Sequence, residues 1–242
     1  DMIAKEVESG VDGIVVQMYA SDGVYKKLES LLPKEKCVLI ETDIAPEEYY
    51  QTVGPDNKEL GKALAERICR DFGDDLQGKT VGILSGNTGQ LALRQRLEGL
   101  SERLQEAGAQ IQWQMAEMGR RPDQGLFEEN WAKGADIVVA LENDETERAV
   151  DYMEEKPEAA SGSVLYGIGN SEKIVYYLDQ GLIRALLVPN EFHMGYQSVE
   201  ELAMKLGYYT TEKRNVTTGY LLIDKASLYD AANQKILFPI VQ

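Results

Sequence analysis

Residues 79–104 run from a strand through a glycine turn into a helix, and few folds accommodate that succession. Thr80-Val81-Gly82-Ile83-Leu84 is a short apolar run rich in branched residues, too short for a helix and suited to a buried parallel strand. Ser85-Gly86-Asn87-Thr88-Gly89 follows as a turn cluster, with a helix cap at Asn87 or Thr88. Leu93, Leu97, Leu100 and Leu104 then recur at spacings of four, three and four, the apolar stripe of an amphipathic helix. Such a unit turns its loop toward the carboxyl end of a sheet, where open α/β folds bind ligands. Arg94 and Arg96 stand in the first turns of the helix, near that loop.

The same rhythm extends in both directions. Apolar runs at residues 11–17, 37–40, 111–115, 137–141, 164–168 and 183–188 predict strands, with a short one at 52–54. Helices are predicted over 21–32, from Asp56 or Asn57 through Leu60, Leu64 and Ile68, and over 123–133, 145–154, 172–178 and 194–206. Residues 2–9 read as a helix end closed by Gly10, residues 45–51 as a loop and residues 216–223 as an extended segment. The polar stretch 73–78 is the first candidate boundary. Repeated strand–helix units imply parallel sheets with right-handed crossovers.

Polar residues recur just after the strands: Gln17, Glu41 with Asp43, Asn143 with Asp144, Asn170 and Asn190. One Asn or Asp in such a place is ordinarily a turn former or a cap. Five such turns, all at carboxyl ends of strands, would line one crevice.

Charge and residue counts narrow the chemistry. A formal net charge of −16 over 242 residues argues against a general nucleic-acid binder and against docking on anionic lipid. No apolar run approaches the length of a membrane span. Residues 1–9 carry no signal peptide and read as mid-helix rather than as a natural start, which leaves room for a signal in a segment upstream of Asp1. Cys37 and Cys69 have no metal-site spacing and read as buried thiols. His193 is the single histidine, which nearly excludes a His-based metal site or a Ser-His-Asp triad. The 85–89 turn lacks the Gly-Lys-Ser/Thr ending of a P-loop, no cofactor is implied, and no nucleophile–base pair can be named. Trp113 and Trp131 read as core. The pairs Tyr49-Tyr50, Tyr176-Tyr177 and Tyr208-Tyr209 put one ring each on a different face, and Arg120-Arg121 reads as a solvated turn.

Several ordered motifs carry a family resemblance. Val11-Asp12-Gly13-Ile14-Val15-Val16, then Ile40-Glu41-Thr42-Asp43-Ile44-Ala45-Pro46, then Val53-Gly54-Pro55-Asp56-Asn57 with Gly61, resemble the first lobe of type I periplasmic sugar-binding proteins, nearest the ribose-binding and LacI-like branch. Arg94-Gln95-Arg96-Leu97-Glu98-Gly99-Leu100 resembles that family's "R-x-R-x-x-G-f" helix, and Glu142-Asn143-Asp144-Glu145 its "x-N-D-x" turn. Residues 183–190, leading to Met194-Gly195-Tyr196, resemble its return crossover.

The resemblance implies two doubly wound parallel-sheet α/β lobes joined by three crossovers, with a small polar ligand, a sugar or sugar derivative, held between them. The first lobe maps to residues 1–77 plus 190–218 and the second to 78–189 plus 219–242, with crossovers near 77–78, 189–190 and 218–220. It implies ligand-binding roles for Gln17, Glu41, Asp43, Arg96, Asn143, Asn170 and Asn190, with Arg96 facing Glu41 and Asn143. Carboxylates accept from hydroxyls, and Arg and Asn give fixed, directional donors.

The chain departs from the pattern at Gly167-Ile168-Gly169-Asn170, where the family's "G-x-D" Asp is absent. It departs again at Pro189, where the family has a hinge Gln, and near Met118, where it has an aromatic. The family's first strand–helix–strand unit, roughly 45 residues, also has no counterpart. That leaves the edge of the first lobe open and predicts either self-association through it or low stability relative to a chain extended upstream.

The implied function is non-catalytic solute binding for an ABC importer or a sensor system, with a membrane permease or sensor kinase as partner. The implied place is extracytoplasmic, in the periplasm or lipid-anchored at the cell surface. The alternative is the effector-binding domain of a cytoplasmic LacI-type transcription regulator, whose DNA-binding head would lie upstream; this chain itself is not expected to bind nucleic acid. A signal peptide with a lipobox-type Cys before Asp1 would mark the first, and a helix-turn-helix the second.

Overall fold

The computed structural model describes residues 2–17, 22–41, 50–116, 124–208 and 215–238. In chain order its elements are α1 (Met2–Glu8), β1 (Ile14–Val16), α2 (Asp22–Leu31), β2 (Cys37–Ile40), β3 (Gln51–Gly54), α3 (Asn57–Asp71), β4 (Thr80–Gly86), α4 (Leu91–Glu106) and β5 (Gln110–Ala116). They continue with α5 (Gln124–Trp131), β6 (Ile137–Ala140), α6 (Asn143–Glu155), β7 (Val164–Ile168), α7 (Glu172–Gln180), β8 (Ile183–Pro189), α8 (Glu191–Ala203), β9 (Val216–Thr217), β10 (Tyr220–Ile223) and α9 (Ala231–Leu237). No helix among the described residues is long and apolar enough to cross a membrane. The chain divides into two compact units, Asp1–Asp56 with Gly89–Ala92 and Asn190–Gly219, and Asn57–Thr88 with Leu93–Pro189 and Tyr220–Gln242.

The first unit is built on a four-stranded sheet in the order β1-β2-β3-β9, parallel at every pair. β2 reads Cys-Val-Leu-Ile and has its first three residues buried, as a strand flanked on both sides must be apolar on both faces. Leu28, Leu32, Cys37, Leu39 and Tyr50 form one small core, and Val38, Val53 and Met194 another, the last contributed by α8.

The second unit carries six strands in the order β10-β8-β7-β6-β4-β5. Five are mutually parallel, and β10 runs antiparallel along the edge of β8. The central strand β6 is buried at all four positions. The edge strand β5 instead alternates, with Trp113 and Met115 inward and Gln112 and Gln114 outward. One face carries an aromatic cluster in which Trp131 sits 5.5 Å from Phe127 and 4.6 Å from Tyr152 between ring centroids. The other face is covered by α3 and α4, whose Leu60, Leu64, Ile68, Leu100 and Leu104 pack with Val81 and Ile83.

Two features differ from the sequence reading. The segment 216–223, read by pattern as one extended run and given a crossover near 218–220 only by the resemblance, is two strands in two different sheets, β9 and β10, parted at Thr218-Gly219. The break is fixed by backbone bonds, with Thr218 N donating to Gly54 O and Asn190 N to Gly219 O. Helix α3, mapped by resemblance to the first lobe, falls in the second unit because its apolar face is continuous with α4 and β4. α7 is bounded by ordinary capping chemistry: Ser171 accepts from Ile174 N at its start, and Gly181, at φ 83°, closes it.

Candidate ligand-binding site

In the second unit the carboxyl ends of β4, β6 and β7 are stitched together by side chains from the turns that follow. Asn143, the first residue of α6, accepts at Oδ1 from Asn170 N at 3.3 Å and from Ser171 N at 3.2 Å, and donates from Nδ2 to Glu147 Oε1 at 3.1 Å. One carboxamide thus ties the β6–α6 turn to the β7–α7 turn. Its seat requires glycine: a Cβ on Gly169, at φ 140°, would stand 2.7 Å from Asn143 Oδ1. Glu142 lies in the same way against Gly86, where a Cβ would meet Glu142 Oε1 at 1.9 Å. Beneath them Thr146 Oγ1, fully buried, donates within reach of both Glu142 O and Ile168 O, each at 2.9 Å.

Arg96, from the second turn of α4, is 3% exposed. Its Nε donates to Asn57 Oδ1 at 2.8 Å and its Nη1 to Leu141 O at 3.1 Å, at the point where β6 ends. Asn57 is itself buried at the start of α3. The helices approach closely enough for this because Gly61 and Gly99 face the partner backbone, where a Cβ would come within 1.9 Å of Arg96 O or 2.0 Å of Lys58 O.

In the first unit the carboxyl ends of β1 and β2 bring Gln17 and Glu41 together, with the Gln17 amide donating to the Glu41 carboxylate. Glu41 has φ 59°, a left-handed backbone that residues with a Cβ avoid, and it is held there by Glu41 N donating to Val53 O at 3.0 Å. The neighbouring strand leaves it room, since Gly54 comes so close that a Cβ would stand 3.0 Å from Glu41 Cα. Asn190 caps α8, accepting from His193 N at 3.0 Å.

The sequence-predicted residues therefore fall into groups. Gln17 and Glu41 meet at the end of the first sheet, and Asn143 reaches the Asn170 turn at the end of the second. Arg96 bonds Asn57 and the Leu141 carbonyl. Asn190 serves a helix start. Asp43 lies outside the described residues, as do Met118, Arg120 and Arg121. Sequence reasoning missed Glu142, Thr146 and Ser171 and assigned Asn57 only a capping role. The signal for Asn57 was the pair Gly61 and Gly99, glycines on two helices that mark a close helix crossing.

Comparison with known proteins places this geometry in context. A family model described as a periplasmic binding protein domain matches residues 1–208. A crystal structure of a glucose-galactose binding protein from Geobacillus stearothermophilus superposes with a TM-score of 0.79 at 18% identity, covering 94% of this chain and 81% of that one. A carbohydrate transporter solute-binding protein from Agrobacterium radiobacter, in complex with D-arabinose, gives 0.81 at 16% identity, with 98% and 82% covered. An ABC transporter solute-binding protein from Agrobacterium vitis with bound D-fucose gives 0.79 at 18% identity, with 98% and 83% covered. At these identities the likeness is one of fold. No curated protein matches.

Proposed function

The chain belongs to the periplasmic binding protein domain family, and from that footing we propose that it is a non-catalytic receptor for a neutral sugar or sugar derivative. The observation that carries this reading is Glu41. A non-glycine residue in the left-handed region costs of order 1–2 kcal/mol and persists where the surroundings impose it, which is the mark of a residue kept for its side chain. Here that side chain is a carboxylate at the end of a parallel strand, with the Gln17 amide fixing its direction.

A carboxylate accepts from adjacent sugar hydroxyls, and the Gln17 carboxamide beside it brings donor and acceptor atoms of the kind a polyol takes. Solute-binding relatives of this fold were solved with D-arabinose and D-fucose. In this reading the protein is extracytoplasmic and delivers its sugar to the permease of an ABC importer, and it performs no chemistry on its ligand.

A thermal-shift screen over free aldoses and ketoses, sugar alcohols and sugar phosphates, followed by calorimetry of the best hit, tests it. A free sugar should raise the melting temperature by several degrees, since a ligand at a hundred times its dissociation constant adds about 2.7 kcal/mol. Absence of any shift across the screen would overturn the reading.

A further inference from the structure

Arg96 is the residue that the sequence most readily marks as a ligand contact, and in the structure it holds Asn57 and the Leu141 carbonyl. It is 3% exposed, its Nε is on Asn57 Oδ1 at 2.8 Å and its Nη1 is on Leu141 O at 3.1 Å. Leu141 is not a bystander. It is the residue between the last position of β6 and the Glu142-Asn143 turn, and its own N–H donates to Leu84 O at 2.9 Å. Two residues on, Asn143 accepts from Asn170 N and Ser171 N and so sets the β7–α7 turn. The covalent chain from Leu141 to Asn143 is short and enters α6 at once, so the direction of the Asn143 carboxamide depends on where the Leu141 carbonyl is held.

We infer that Arg96 is a positioning residue: through Asn57 and the Leu141 carbonyl it fixes the turn from which Asn143 orients the Asn170-Ser171 turn. This rests on the reading of those strand ends as ligand-binding, and it gives them a pre-organising device. The guanidinium suits the task better than an ammonium would. It is planar, stays charged when buried, and offers several donors at fixed angles, so one side chain can hold a carboxamide and a backbone carbonyl at once. The glycines at 61 and 99 serve the same end, because without the close crossing of α3 and α4 Asn57 would not reach Arg96.

Hydrogen exchange of the sugar-free, full-length protein tests the inference without knowledge of the ligand. In Arg96→Met, peptides spanning 141–148 and 168–172 should exchange about tenfold faster than in the wild type, with peptides of β4 and the α7 interior unchanged, because local openings have their own free energies. Asn57→Ala, which removes the bond to Arg96 Nε and leaves the one to the Leu141 carbonyl, should show the same pattern at smaller amplitude and guards against a variant that fails to fold. Asn143→Ala should accelerate 168–172 alone. Acceleration spread evenly over the protein, or confined to α3 and α4 with 168–172 unmoved, would overturn the inference and leave Arg96 a residue of general stability. Calorimetry of the wild type with D-arabinose and D-fucose runs alongside. If these and every other sugar of the screen fail to bind while the exchange pattern holds, the positioning role stands and the choice of ligand class is what fails.

Discussion

Gly61 lies so close to the backbone of Arg96 that a Cβ on the glycine would stand 1.9 Å from the Arg96 carbonyl oxygen. Nothing at that spot can yield cheaply, since the obstacle is helix backbone and not the end of a flexible side chain. Gly61→Ala therefore forces α3 and α4 apart and stretches the Arg96–Asn57 bond with them. Overpacking of this kind typically costs about 1–3 kcal/mol. The urea midpoint of Gly61→Ala should fall accordingly, and Gly99→Ala, which meets Lys58 O, should match it. On an open helix face the same change would stabilise, so an unchanged or raised midpoint would show that the helices do not cross this tightly.

Thr146 supports the second unit's strand ends from below. Its hydroxyl is buried and lies within 2.9 Å of both the Glu142 and Ile168 carbonyls, and its methyl packs where a Cβ on Gly167 would otherwise be. Thr146→Val keeps the shape and removes the single hydroxyl proton, so the buried contact to the Ile168 carbonyl loses its donor while the Glu142 carbonyl keeps the Thr146 N–H at 3.0 Å. A loss of about 1–3 kcal/mol is expected, read as a lower melting temperature, while Thr146→Ser should retain most of the stability.

How much of this was readable in the sequence depends on the range of the interaction. The β4–turn–α4 unit declares itself because strand length and helical period are local. The positions of Gln17, Glu41, Asn143 and Asn170 after strands were readable for the same reason. Their partners were not. Asn143 finds Asn170 and Ser171 across 27 and 28 residues, and Arg96 finds Asn57 across 39 and Leu141 across 45, distances over which no sequence period operates. By residue pattern alone 216–223 reads as one run, because both halves are equally extended, and only the resemblance sets a crossover near 218–220. Helix α3 was drawn to the first lobe by the resemblance, whereas its apolar stripe continues into the core of the second unit.

Two carboxylates make stability depend on acid pH. The Thr80 backbone N–H at 2.8 Å, then its hydroxyl at 2.9 Å, hold the Asp136 carboxyl below the usual carboxylate range. Burial alone would raise Asp224, but Ser227 and the Arg67 guanidinium at 3.0 Å bring it below that range as well. A depressed folded-state pKa gives stability that is fully present above the unfolded value, about 3.9, and is lost as pH falls through the lower folded value. Urea midpoints should thus be flat from pH 7 down to about 5 and fall below about 4. Asp136→Asn should be less stable than wild type at pH 7 and lose less between pH 5 and 3. Parallel curves for the two proteins would remove Asp136 from the account.

The last prediction separates stability from binding at Glu41. Its left-handed backbone, φ 59°, penalises every residue with a Cβ, so Glu41→Ala removes the carboxylate and keeps the strain. Glu41→Gly removes both. The relief of about 1–2 kcal/mol is partly offset by the greater freedom of glycine in the unfolded chain, about 0.4–1 kcal/mol. Glu41→Gly should therefore be more stable than Glu41→Ala by about 0.5–1 kcal/mol, and close to or above the wild type. Both should bind the best sugar of the screen roughly ten- to a hundredfold more weakly, the worth of one charge-assisted hydrogen bond. Gln17→Ala, which keeps the carboxylate but frees its direction, should fall between them and the wild type. If Glu41→Gly gained stability and kept full affinity, the strain at Glu41 would have no bearing on sugar binding, and the strand end of the first sheet would drop out of the site.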